Sequence, residues 1–226
     1  RGVSQSADQF VNLAEPHGFQ IGAAAMPTGV TNNLHLHFTA EVFLCFRGKF
    51  LLRWGVDGSE GEAVLSEGQI ASIPTWIFRG FTNIGPDDGI LFTVLGMDET
   101  GGIIWSPSVL ADAKEHGLLL TADGKLLDTI AGDEAPDDDQ LVQPLTAEQL
   151  ATLPHYSEGQ MRARIAAAED IDWSDRALLD SALPGGGVEV GPVIGFGFSE
   201  NRDQLPRIVA PHGHAATWLR AKPGQG

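Results

Sequence analysis

GVTNNLHLHFTAEVFLCFRG, residues Gly29–Gly48, sets two histidines and a glutamate at fixed spacing inside a glycine frame. Five residues separate Gly29 from His35; His37 follows one residue later, Glu41 after three more, and Gly48 after six more. Side chains alternate faces along a strand, so His35, His37, Thr39 and Glu41 can share one wall. Two imidazoles and a carboxylate converging there form a donor set for a divalent transition ion with open coordination positions.

This spacing resembles the first motif of the cupin superfamily. A second stretch resembles that family's other motif: Gly68, Pro74 and Asn83 stand at its offsets. Trp76 replaces its second glycine, and Arg79 stands where its third histidine ligand would be. The resemblance implies an all-β fold, the cupin double-stranded β-helix (jelly-roll) barrel, with His35, His37 and Glu41 as metal ligands. Fe(II) is the first expectation for the ion, with Mn, Ni or Zn as alternatives. Arg79 is expected to point inward with Phe81 and Asn83. It then either pairs with Glu41 in place of the cation, or binds a substrate carboxylate beside the ion as a catalytic residue.

The strand pattern around the motifs agrees with a barrel. Phe19–Met26, Lys49–Trp54, Ala63–Leu65, Gln69–Ile73, Ile77–Asn83 and Gly89–Leu95 read as short strands, with Asp57–Gly61 a hairpin loop. Cys45, the one cysteine, sits in an apolar run and reads as a buried thiol. Trp54, Trp76, Phe43 and Phe81 are expected to line the interior.

After Met97 the texture changes. Ser106-Pro107 opens a helix over Val109–His116, and Leu118–Thr121 with Lys125–Thr129 reads as a hairpin. The acidic run Asp133–Gln140 reads as a solvated loop. Capping boxes begin at Thr146 and Ser157, the second leading into a helix over Met161–Asp170. Residues 1–97 are thus expected to hold the barrel and an N-terminal arm, and residues 98–185 an α-containing inter-barrel segment. Pro211-His212-Gly213 and the strand Ala215–Ala221 echo Pro16-His17-Gly18 and Phe19–Ala25. Residues 186–226 are therefore read as the start of a second barrel, cut before its own first motif, in a bicupin. His212 and His214 lack the following glutamate, since Trp218 takes that offset, and are rejected as a metal site. His17 is assigned to its turn, and His116 and His155 to the surface.

Fourteen basic against 30 acidic residues give a net charge of −16, which disfavours nucleic acid and anionic membranes as partners. A single cysteine excludes an intrachain disulfide framework. The expected setting is cytoplasmic, with a small-molecule substrate and a homodimer, although a chain opening at Arg1 is compatible with a removed leader. Three function classes follow: a metal-dependent oxygenase of small aromatic or oxygenated metabolites, as the resemblance implies for a dioxygenase-like bicupin; a non-oxidative isomerase or lyase; or a metal-free barrel for ligand binding or dimerisation.

Overall fold

A computed structural model describes Leu13 and residues 15–197, 199–209 and 212–224. Eight strands follow in succession: β1 Phe19–Met26, β2 Thr31–Leu36, β3 Glu41–Arg47, β4 Lys49–Trp54, β5 Gly61–Ser66, β6 Ile70–Ile73, β7 Arg79–Asn83 and β8 Gly89–Gly96. Then come β9 Ile104–Trp105, α1 Pro107–Glu115, the hairpin β10 Leu118–Leu120 and β11 Leu126–Asp128, α2 Ala147–Leu150, α3 Glu158–Arg162, β12 Ile165–Ala166, β13 Glu189–Ile194 and β14 Ala216–Arg220.

Two five-stranded antiparallel sheets, ordered β1-β8-β3-β6-β12 and β5-β4-β7-β2-β9, face each other as a jelly-roll barrel. Apart from the β4–β5 hairpin, adjacent strands in each sheet come from distant parts of the chain, so the register rests on alternation. Inward residues are apolar and outward ones mixed, and a one-residue slip would invert every strand. The interior is filled by Phe43, Cys45, Phe50, Leu52, Trp54, Leu65, Ile73, Phe81 and Leu91. Phe81 meets Phe43 and Phe50 edge-on, with ring centroids 5.1 and 6.2 Å apart. Burial pushes the Cys45 thiol up to about 11, which leaves it a packing residue at neutral pH.

The α-containing segment completes this core. Met161 of α3 is 1% exposed and belongs to the barrel cluster. The Trp54 indole N–H donates to the Tyr156 carbonyl at 2.8 Å. Gly61 is needed beside that indole, because a Cβ there would lie 2.4 Å from Trp54 Cζ2. Both capping boxes form, Thr146 with Gln149 and Ser157 with Gln160. Ser106 and Pro107 open α1 as expected.

The helix expected over Met161–Asp170 stops at Arg162 instead. The Arg164 carbonyl accepts the Ser72 N–H, and Ile165 and Ala166 pair with Ala71 and Ile70 as the edge strand of the first sheet. Ladder bonds and burial of Ala166 on β6 outweigh the helix propensity of an alanine-rich run. The outer face of this sheet is covered in part by a second cluster. Val42, Ile70 and Ala166 meet Val193 and Ile194 of β13, Ile208 and Trp218 there. At that junction Ser72 Oγ lies 2.5 Å from His212 Nε2, while Arg164 Nη2 donates to the same oxygen at 2.8 Å.

Strand β14 falls where the repeat placed one and pairs antiparallel with β13, an element the sequence reading did not contain. Pro211 and most of the N-terminal arm lie outside the described residues. Among the described residues no helix is long and apolar enough to cross a membrane.

Candidate functional site

The two motifs meet at one end of the barrel. In the register of β2 and β7, His35 stands opposite Arg79, while Glu41 opens β3 in the facing sheet. All are buried: His35 5%, His37 4%, Glu41 3% and Arg79 1% exposed. Arg79 crosses from sheet to sheet. Its Nε donates to Glu41 Oε2 at 3.0 Å, Nη2 donates to the same oxygen, and Nη1 donates to the His35 carbonyl at 2.8 Å. The guanidinium thus neutralises the carboxylate inside the barrel, one of the two roles weighed for it from sequence.

The histidines are oriented by the backbone. His35 Nδ1 lies 2.6 Å from the Asn33 carbonyl and His37 Nδ1 3.4 Å from that of Gly102. A carbonyl can only accept, so each Nδ1 carries the proton and each Nε2 keeps a lone pair. Burial first, then the charge of Arg79, pushes His37 down to about 4 and His35 well below its ordinary value, so both rings are neutral at pH 7. The rings sit edge-on 5.0 Å apart, and Trp105 of β9 packs 5.5 Å from His35. His37 Nε2 and Glu41 Oε1 stand 3.8 Å apart. Both are acceptors, so a group with two donor hydrogens between them would satisfy both. The hydroxyls of Thr39 and Thr93 are also buried without a partner among the described residues.

His35, His37 and Glu41 are therefore brought to one place, but a resident divalent ion does not fit them as they stand. Among the described residues no three His, Cys, Asp or Glu side chains are arranged to hold a metal ion. The physical reason is Arg79. One carboxylate oxygen is committed to it, and a fixed positive charge paired with that carboxylate repels any cation the same group would hold. Asn83, the last residue of the second motif, ties loops together: its Nδ2 donates to the Met26 and Asp87 carbonyls, each at 2.8 Å, and its Oδ1 accepts the Gly85 N–H.

Trp76, expected inside, is 43% exposed. Its φ of 61° lies in the left-handed region and marks the departure from the glycine of the motif. A separate cleft of about 1100 Å³ runs between β2, α1 and the β10–β11 hairpin. It is lined by Asn33, Trp105, Leu110 and Leu120 among others. Asn33 and Trp105 thus stand between this cleft and His35. The sequence reading missed the cleft, because nothing local marks the docking of a hairpin on a sheet.

No family profile and no curated protein matches the sequence. Solved structures show partial likeness. Oxalate oxidase in complex with glycolate is 20% identical over 41% of this chain, with a TM-score of 0.37. The capsular polysaccharide assembling protein CapF of Staphylococcus aureus is 24% identical over 37% of this chain, with a TM-score of 0.34. A cupin superfamily protein of Desulfitobacterium hafniense is 14% identical over 38%, with a TM-score of 0.33. The matches span 48%, 26% and 72% of those chains respectively.

Proposed function

We propose that this barrel binds a small hydroxylated organic metabolite at His35, His37, Glu41 and Arg79, with the guanidinium standing in place of a metal ion. One observation carries the reading: Arg79, 1% exposed, holds Glu41 Oε2 with two of its nitrogens. The centre is then electrically balanced, with two neutral imidazoles and a paired carboxylate. What it offers a ligand is acceptors: His35 Nε2, His37 Nε2 and Glu41 Oε1. A ligand hydroxyl between His37 and Glu41 would donate its one proton to one of them with the other base beside it, which supports proton-transfer chemistry there.

A second reading keeps the metal-dependent oxygenase, with Arg79 swung aside to a substrate carboxylate. It is favoured by the two Nε2 lone pairs directed away from the backbone carbonyls. Elemental analysis of the protein purified without chelator decides between them. The first reading expects well below one ion per chain, and a gain of bound ion in Arg79→His, which removes the fixed charge and adds a ligand. A stoichiometric ion in the unaltered protein, lost when His35 and His37 are both replaced by alanine, would overturn it. The proposal that residues 186–226 open a second barrel draws on the β13–β14 pair and on the repeated Pro-His-Gly turn.

A further inference from the structure

The second sheet stops short along one edge. β9 pairs with β2 through His35–Trp105 and Leu36–Ile104 alone. The Ser106 N–H then donates to the Leu34 carbonyl at 3.0 Å, and Pro107, which has no N–H to give, turns the chain into α1. Thr31 and Asn32 pair with Thr82 and Phe81 of β7 on one side. On the other side, among the described residues, no strand lies beside Thr31–Asn33. An open strand edge is a template for another strand.

This same stretch lines the cleft of about 1100 Å³. The other walls are apolar: Val109 and Leu110 of α1, Leu118 and Leu120 of β10, and Leu141. Neither α1 nor β10 has a buried residue, so these side chains stay half-exposed around the open space instead of packing it shut. Charge in the lining is balanced. Between Met97 and Arg162 the only basic residues are Lys114 and Lys125, and both line the cleft. Lys114 Nζ stands 3.3 Å from Asp138 Oδ1, and Lys125 follows Asp123 across Gly124 in the hairpin turn. In a chain of net charge −16 this lining is neutral, which suits an uncharged guest. A small aliphatic molecule would use the apolar walls and leave the strand edge unpaired, whereas an extended peptide uses both.

We propose that the cleft receives an extended, uncharged peptide segment of a partner protein. The segment adds a strand beside Thr31–Asn33, in line with β9, and turns alternate apolar side chains onto α1 and the β10–β11 hairpin. Main-chain pairing supplies the affinity and the leucine-lined walls the selectivity. Pairing along Thr31–Asn33 takes a guest strand of about 10 Å, at about 3.3 Å per residue. This site is independent of the reading of the barrel centre.

The test uses the full chain and a blocked peptide of about five residues alternating threonine and valine, matched to that length. Its ester analogue keeps the side chains and lacks the backbone N–H donors. Calorimetric titration should show saturable binding of the peptide, and amide hydrogen exchange should slow over residues 31–33 when it binds. The ester analogue should bind about tenfold or more weakly, because strand pairing needs the N–H groups. Leu110→Glu, which sets a charge on the apolar wall, should also weaken peptide binding about tenfold or more. Since α1 has no buried residue, the Tm of that variant should stay within about 3 °C of the unaltered protein. The proposal is overturned if the peptide does not bind, or if exchange slows only outside residues 31–33. An ester analogue that binds as well as the peptide overturns it and assigns the cleft to small apolar molecules. Peptide binding unchanged in Leu110→Glu places the peptide elsewhere and overturns it too. The peptide, ester and exchange measurements all use the unaltered protein, so they decide the matter even where the variant is destabilised.

Discussion

Replacing Arg79 by alanine removes the one cation that, among the described residues, is paired with Glu41 Oε2, and strands a carboxylate that is 3% exposed in the unaltered protein. Breaking a buried ion pair from one side costs about 3–5 kcal/mol, because the remaining charge keeps its desolvation penalty without its partner. The bond to the His35 carbonyl is lost as well. For a chain of this size each kcal/mol moves Tm by about 2–4 °C, so Arg79→Ala should melt roughly 6–20 °C below the unaltered protein at pH 7. The deficit should narrow when the carboxylate is neutralised in the same chain, as Glu41→Gln with Arg79→Met, since a neutral pair carries no buried charge. Calorimetric melts of the three proteins at pH 7 test this. A Tm for Arg79→Ala within about 3 °C of the unaltered protein, with no effect of Glu41→Gln, would show that the guanidinium does not compensate Glu41, and the account of the centre would fall with it.

His37 supplies a pH signature. Its folded value near 4 lies below the ordinary 6.5, so the unfolded chain binds a proton first and stability falls as pH drops from about 6.5 to about 4, then levels off. The loss attributable to this ring is on the order of 3 kcal/mol, His35 adds to it in the same direction, and His37→Gln should flatten the profile measured by urea unfolding. Met161→Ala should cost about 2–5 kcal/mol by opening a cavity in the barrel core, read as a lower urea midpoint in a single transition. A midpoint unchanged by that substitution would detach α3 from the barrel.

What the sequence determined by itself is local. The turns with glycine, the bounds of β1 and β4 and the two capping boxes all follow from backbone geometry within a few residues, and each appears where it was read. The single strand read from His35 to Glu41 is not there: β2 ends at Leu36, the chain bends over residues 37–40, and Glu41 opens β3 in the facing sheet, so packing rather than alternation brings the three side chains together. The inward path of Arg79 was legible too, because its alternation with Phe81 and Asn83 fixes its face. Its partner was not: two roles fitted the same position, and only the approach of β3 and β7 from facing sheets brings the guanidinium onto Glu41. Trp76 shows the opposite failure. An aromatic between two strands reads as core, yet its positive φ turns it to the surface, and no neighbour in sequence announces that. Ser72 and His212, 140 residues apart, meet only because β13, β14 and their flanks settle on the outer face of the first sheet. Such pairings depend on which apolar faces find each other across the whole chain, and that information exists only once the sheets are packed.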